Sequence, residues 1–344
     1  MSGTSLDGID LAFVNFHFKN NKVEWNIIAS EFVEYSEDWK NQLSQAHLIS
    51  SNELLVLDVK YGKFIGQKVN EFIIRNDLQN IDAIASHGHT IFHQPEKGFT
   101  LQIGSGSHIH AQTNLKVISD FRSLDVALGG QGAPLVPMGD KFLFSQYDAC
   151  VNLGGFANIS FDNSQNQRIA FDICPLNFVL NHLCKKIGKS YDENGEIARN
   201  AKINMDLFST LNQIEFYQKF SPKSLGREWV EKVVFPILEK SEITIENQIS
   251  TFTYHAAFQI SNILNQNNFG KILFSGGGAK NEYLILLIQS QNNTEIKIEN
   301  DNLTDFKEAL IFAFLGGLRL LNQINILRSV TGASRDSISG KIYE

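Results

Sequence analysis

The chain has 344 residues, 43% of them apolar and 19% charged, with a formal net charge of −7. At ~100–200 residues per domain this length predicts two domains, and the apolar content excludes bulk disorder. Lys and Arg are scattered among acids, which excludes a dedicated nucleic-acid binder, and three cysteines without a CxxC pair exclude a disulfide framework or a cysteine zinc site.

The opening, MSGTSLDGID, is polar and has no signal-peptide core. The longest apolar stretch, 309–318, is too short to span a bilayer. The expectation is a cytoplasmic protein with no membrane association.

Residues 9–18 and 23–32, rich in Val, Ile and Phe, read as two strands joined by a polar turn at Asn20 and Asn21. A helix is expected over 53–76, where Leu54, Leu57, Phe64, Ile65, Val69 and Phe72 recur at helical spacing. Short buried strands follow at 81–86 and 116–119, ending at His87-Gly88-His89 and Asp120-Phe121-Arg122. A similar series starts at 149–153: a strand, a Gly154-Gly155 turn, and strands at 159–161 and 168–172. Helices are expected at 177–187 and 254–265. A strand at 271–275 runs into Gly276-Gly277-Gly278 and a helix from 281. After a polar stretch, 289–305, residues 308–321 read as a final apolar helix opened by Glu308. SGTSLDG (2–8) and LGGFANIS (153–160) are both strand, small-residue turn, strand, so two similar halves each offer a turn to one ligand.

Several segments carry chemistry. In SGTSLDG, Gly3 and Gly8 permit positive φ and close ligand approach. Successive turn amides can form an anion nest, with the hydroxyls of Thr4 and Ser5 beside them. Asp7 can hold Mg²⁺ through water; an ordinary polar hairpin turn reads the same way. The three glycines of SGGGAKN (275–281) suit a nucleotide packed against backbone near a helix N-terminus, or a tight crossover. Asp172, at a strand end, can be a general base or a helix N-cap. Arg122 can clamp a carboxylate or phosphate, or pair internally with Asp120 or Asp125. His87, His89 and His93 lack a zinc spacing; a substrate hydrogen bond or a structural role suits them better. Glu308 is either a water-mediated metal partner or favourable charge at a helix start.

Together MSGTSLDGID, SHGHTIFHQP, LQIGSGSHIH, DFRSLDVALGGQGAPLVP, NLGGFANIS, FDICPLN, PKSLGREW, FSGGGAKN, EALIFAFLG and SVTGA resemble the anhydro-N-acetylmuramic acid kinases, in order from residue 1 to 333. The resemblance implies an α/β, two-domain actin-like ATPase fold (ribonuclease H-like), with ATP and sugar in an interdomain cleft. Its domains would be 1–118 with 306–344, and 119–305. It implies that Gly3, Thr4, Ser5, Leu6, Asp7, Gly8, Ile9 and Asp10 form a first phosphate element. Gly154 and Gly155 belong to a second, and Gly276, Gly277 and Gly278 flank adenosine. Arg122, His87 and Asn158 would bind the sugar, Arg122 through its lactyl carboxylate. Asp7 and Glu308 would hold Mg²⁺ through water.

The implied reaction opens 1,6-anhydro-N-acetylmuramic acid with water and phosphorylates it with ATP, in peptidoglycan recycling. Asp172 stands where the family carboxylate activates that water. Two departures stand out. The family's FDTGPGN is FDICPLN here, putting side chains at Cys174 and Leu176 in place of glycines. Residues that usually precede the SGTS motif and form a strand are not ahead of Met1, so the first phosphate turn is expected to be anchored on one side. These departures motivate an alternative, a sugar- or nucleotide-binding member with impaired catalysis; an actin-like ATPase with a protein partner is a second. The partner expected is the small-molecule sugar, with a homodimer compatible.

Overall fold

The computed structural model describes residues 1–3, 6–19, 22–219, 223–298 and 301–344. Thr4 and Ser5 of the first turn, and the Asn20-Asn21 turn, lie outside the described residues. The chain divides into two compact units: Met1–Leu143 with Phe306–Glu344, and Phe144–Asp305. In unit 1 the strands are β1 (Gly8–Lys19), β2 (Lys22–Glu34), β3 (Ile84–Ala85), β4 (His89–Gln94), β5 (Phe99–Ile103) and β6 (Val117–Ser119). Unit 2 holds β7 (Ala149–Leu153), β8 (Phe156–Asp162), β9 (Arg168–Pro175), β10 (Lys271–Ser275) and β11 (Glu295–Ile298), and β12 (Lys341–Tyr343) returns to unit 1.

Residues 119–143, which the sequence assigns to the second domain, lie in unit 1. Long-range bonds hold them there: Arg122 Nε to His87 Nε2 at 3.0 Å and Thr331 Oγ1 to Asp125 at 2.7 Å. The strand just before them, β6, pairs with β3 on one side and β12 on the other.

Unit 2 carries the ribonuclease H-like order expected. β7, β8 and β9 form an antiparallel meander, and β10 and β11 add in parallel beyond β7, giving β11-β10-β7-β8-β9. β7 and β10 read as near-continuous apolar runs because a central strand is covered on both faces. The helix Ile245–Asn267 packs into this core through Ile249, Phe252, Ala256 and Ile260, all fully buried at helical spacing. It starts earlier than expected because Thr244 caps it, accepting the Asn247 N–H.

Unit 1 has the same kinds of strands in separate pieces. β1 and β2 form a long antiparallel hairpin, β3, β6 and β12 a second sheet, and β4 and β5 a short ribbon. Helix Ser51–Arg75 opens with a capping box between Ser50 and Glu53 and buries Leu57, Tyr61, Ile65, Val69 and Phe72. In unit 2 the central strand β7 lies between the antiparallel β8 and the parallel β10. Among the described residues no strand lies between β1 and β3. A cavity of about 970 Å³ is found there, lined by Leu11, Phe13, Phe16, Ala85, Phe312 and Gly316 among others.

The helix expected at 308–321 spans Asp301–Leu320. Glu308 therefore sits two turns inside it, not at its start. The last stretch adds a short helix, Arg328–Thr331, and β12. No described helix is long and apolar enough to cross a membrane.

Candidate active site

In unit 2 the predicted glycines meet at the end of β7. Leu153 closes that strand, and its carbonyl accepts from Asn177 Nδ2 at 3.1 Å. The Gly155 carbonyl accepts the amides of Leu176 (2.9 Å) and Phe178 (3.1 Å), which fastens the Gly154-Gly155 turn to the start of helix Asn177–Lys186. Gly276 has a φ of 82°, which a side chain rarely adopts. A Cβ there would run into the Asn152 side chain, and one on Gly278 would lie 2.8 Å from the Leu153 carbonyl. Two glycine turns and the FDICPLN loop thus converge at the carboxyl end of a central strand, where open α/β sheets bind ligands.

Asp172 lies beside them. It is inside β9, directly across from Asn158 on β8 and next to a bulge between Ala157 and Asn158. It is not an N-cap, because the following helix is entered from Leu176. Its Oδ2 accepts the Leu225 amide at 2.7 Å, and its own amide donates to the Lys223 carbonyl at 3.1 Å. Oδ1 has no hydrogen-bond partner among the described residues. Burial raises the carboxyl's pKa, and the Leu225 bond pulls partly the other way. Cys174 and Leu176, the side chains standing in for glycines, are both fully buried in the unit 2 core. Burial pushes the Cys174 thiol far up, so it stays protonated and inert.

In unit 1 the first turn is tied at both ends. Met1 and Asp10 exchange backbone hydrogen bonds of 2.7 and 2.8 Å. Ser2 Oγ contacts Tyr35 Oη at 2.7 Å and His89 Nδ1 at 2.9 Å, and Tyr35 Oη meets Tyr61 Oη at 2.6 Å. The positive φ of this turn falls on Leu6, at 58°. Gly8 is needed for space: a Cβ there would strike the Val33 carbonyl and the Phe32 ring. Asp7 Oδ1 accepts the Gly8 amide at 3.0 Å. Ile9 is buried in the unit 1 core.

Arg122 does not pair with its near neighbours. Asp120 is bound to Lys341 at 2.9 Å, and Asp125 takes the Gly132 amide at 2.8 Å and the Thr331 hydroxyl at 2.7 Å. Arg122 instead donates Nε to His87 and Nη1 to the Gly132 carbonyl, at 3.0 and 2.6 Å. Burial lowers its pKa to about 10, while Glu308 and Asp125 oppose the shift. Glu308 reaches solvent from a crowded pocket whose burial raises its carboxyl pKa, against Arg122, the Met1 amine and Lys307. The three histidines separate: His87 serves Arg122, His89 serves Ser2, and His93 meets Thr100 Oγ1 at 3.1 Å. Among the described residues no three His, Cys, Asp or Glu side chains converge on a metal position.

Sequence reasoning missed the Leu225 amide, the Asp125–Thr331 bond and the Tyr61–Tyr35–Ser2–His89 chain. PKSLGREW and SVTGA were signals for the first two, since both stood among the matching stretches with no chemistry attached.

A ribonuclease H-like sheet with two glycine turns at the end of its central strand and the buried Asp172 inside β9 is the frame of a phosphotransferase of the sugar-kinase class. Residues 1–344 match the family described as anhydro-N-acetylmuramic acid kinase, and the chain belongs to that family. An anhydro-N-acetylmuramic acid kinase from Bacillus cereus is 34% identical over 99% of this chain and 97% of its own length. One from Sulfurimonas denitrificans is 32% identical over 100% and 98%. Among solved structures, the activator of 2-hydroxyisocaproyl-CoA dehydratase from Clostridium difficile aligns with a TM-score of 0.41 at 13% identity, over 91% of this chain and 97% of that one.

Proposed function

We propose that the chain is an ATP-dependent kinase that opens 1,6-anhydro-N-acetylmuramic acid with water and yields N-acetylmuramic acid 6-phosphate and ADP. The observation that carries this reading is Asp172: one oxygen held by the Leu225 amide, the other without a partner among the described residues, in the same row across the sheet as Asn158 and Asn152, next to the glycine turns. Asp172 accepts a proton from water as the water oxygen bonds to the anomeric carbon. The bond from that carbon to the 6-oxygen breaks, and the 6-oxygen takes the γ-phosphoryl group of ATP. Asp172 then returns its proton to solvent. A carboxylate with a raised pKa is a better base than an ordinary one.

Gly154, Gly155 and Gly276 to Gly278 would let the nucleotide approach backbone, with the first turn as the other phosphate element. Arg122 would bind the lactyl carboxylate. The donors fit Mg²⁺ held mostly by water and phosphate, with Asp7 and Glu308 as outer partners, since no cluster of three protein ligands occurs among the described residues. When bound, the ion would neutralise phosphate charge. With ATP as co-substrate, we read the reaction as a cytoplasmic step in the recycling of peptidoglycan sugar.

The test mixes the protein with Mg-ATP and 1,6-anhydro-N-acetylmuramic acid and follows ADP and sugar phosphate together. One-for-one formation, from the anhydro sugar and not from N-acetylmuramic acid, is expected. ADP without sugar phosphate would sink the reading.

A further inference from the structure

We propose that His87 is a positioning residue that never touches the substrate: its neutral imidazole fixes the Arg122 guanidinium so that Arg122 meets a carboxylate end-on, through Nη2. The proposal rests on Arg122 as the carboxylate-binding residue.

The geometry assigns the tautomer. Arg122 Nε can only donate, so His87 Nε2, 3.0 Å away, must accept. The Gly88 carbonyl can only accept, so His87 Nδ1, 2.9 Å from it, must carry the hydrogen. Both ring nitrogens are therefore used inside the protein, and none remains for a sugar hydroxyl. The ring is also held edge-on to Phe312, with centroids 4.7 Å apart. Burial and the neighbouring Arg122 charge push the His87 pKa well below its ordinary value, so the acceptor persists at neutral pH.

A guanidinium is planar, so two anchored nitrogens define its orientation. Here Nε is bound to His87 and Nη1 to the Gly132 carbonyl, while Nη2 has no partner among the described residues. The side-on fork, which uses Nε and Nη2, is thereby closed. The end-on approach at Nη2 is what remains. The Gly132 anchor is itself fixed, because the Gly132 amide is bound to Asp125 and the adjoining Gln131 amide to the Thr331 carbonyl. A lysine at position 122 could not reproduce this, having one nitrogen where three are used.

The test is steady-state kinetics and direct sugar titration on four variants. His87→Phe keeps a ring against Phe312 but offers no acceptor. It should raise the sugar KM by about tenfold to a hundredfold, the loss expected when a charge-assisted hydrogen bond is left unmade. The ATP KM should stay within about threefold, less than the loss expected for one neutral hydrogen bond. His87→Gln, whose Oε1 can stand in for Nε2, should recover most of the sugar KM. Arg122→Met should raise the sugar KM at least as much, and adding His87→Phe to it should change nothing more. If the Phe variant does not fold, His87→Asn, which reaches Gly88 but not Arg122, replaces it.

A sugar KM unchanged in the Phe or Asn variant while Arg122→Met raises it would overturn the positioning role alone. So would a Gln variant as impaired as Phe. A sugar KM unmoved by Arg122→Met would remove the substrate reading on which the proposal rests.

Discussion

The two units solve one problem, holding a small-residue turn in place, in different ways. In unit 2 the turn leaves a central strand, β7, that is paired on both edges, and backbone amides fasten it to the next helix. In unit 1 the described part of the turn is held by the Met1 and Ser2 pairing with β1 and by the Tyr35 amide on the Asp7 carbonyl at 2.9 Å, and a cavity adjoins β1. Side chains supply the difference: Tyr61, Tyr35, Ser2 and His89 form one buried chain of hydroxyls and an imidazole. The unit 2 turn therefore rests on backbone bonds, and the unit 1 turn depends in addition on a polar network that single substitutions can break.

The largest effect should come from unit 2. Asp172→Asn keeps the shape and the Leu225 bond but cannot accept the proton. It should lower kcat by about 10²–10⁴ and leave sugar binding close to normal by titration. Near-normal turnover would remove Asp172 as the base. The raised pKa adds a pH signature: the acid limb of kcat/KM should lie above that of an ordinary aspartate, because protonation removes the base.

Acid should also separate the units. His255, fully buried in unit 2 between Asn212 and Tyr217, has a pKa lowered to about 3, and His89 in unit 1 is lowered to about 4. Between pH 6.5 and those values the unfolded chain takes up protons that the native state refuses. Their stability contribution is thus full above pH 6.5 and lost as pH falls, by about 3–5 kcal/mol for each site. Urea unfolding at pH 7, 4.5 and 3 checks this: the two sites lose similar amounts by pH 4.5 and separate only below pH 4. His255→Gln should flatten the unit 2 dependence more than His89→Gln flattens that of unit 1.

Much of this frame was legible in the sequence, and the reason is local. β1, β2, β7, β10 and helix Ser51–Arg75 announce themselves through apolar period and turn residues within a few positions. What was not legible depends on distance along the chain. Nearness suggested Asp120 or Asp125 for Arg122, yet Lys341 and Thr331 claim those carboxylates from the far end of the sequence. The Ser2–His89 contact joins residues 87 positions apart. The helix Asp301–Leu320 begins in a polar segment with no apolar period to reveal it, so Glu308 was misplaced at its start. Cys174 and Leu176 looked like intrusions into a ligand loop, but burial turns both into the core.

The unit 1 cavity offers a way to erase the contrast. Met1 already pairs antiparallel with Asp10, so six residues joined ahead of it would lie opposite Leu11 through Phe16. At ~3.3 Å per residue such a strand would be ~20 Å long and would run along the cavity lined by Leu11, Phe13 and Phe16. A Val- and Ile-rich extension should raise the Tm by about 5–10 °C, and a Gly-Ser extension of equal length should not. Equal melting of the two would mean that the cavity is not strand-shaped.

The smallest effects test the contrast most directly. Tyr35→Phe removes the hydroxyl shared by Ser2 and Tyr61 and leaves both short of a partner in a buried place. That should cost about 1–3 kcal/mol and raise the ATP KM, because Ser2 keeps only its His89 bond of the two side-chain bonds that hold it. Asn177→Ala removes one side-chain bond to Leu153 in unit 2, where the Leu176 and Phe178 amides still hold the turn. It should cost only about 0.5–1.5 kcal/mol, with little change in ATP KM. If Asn177→Ala proves the more damaging of the two, backbone pairing is not what makes unit 2 robust, and its glycine turns depend on side chains as much as the first turn does.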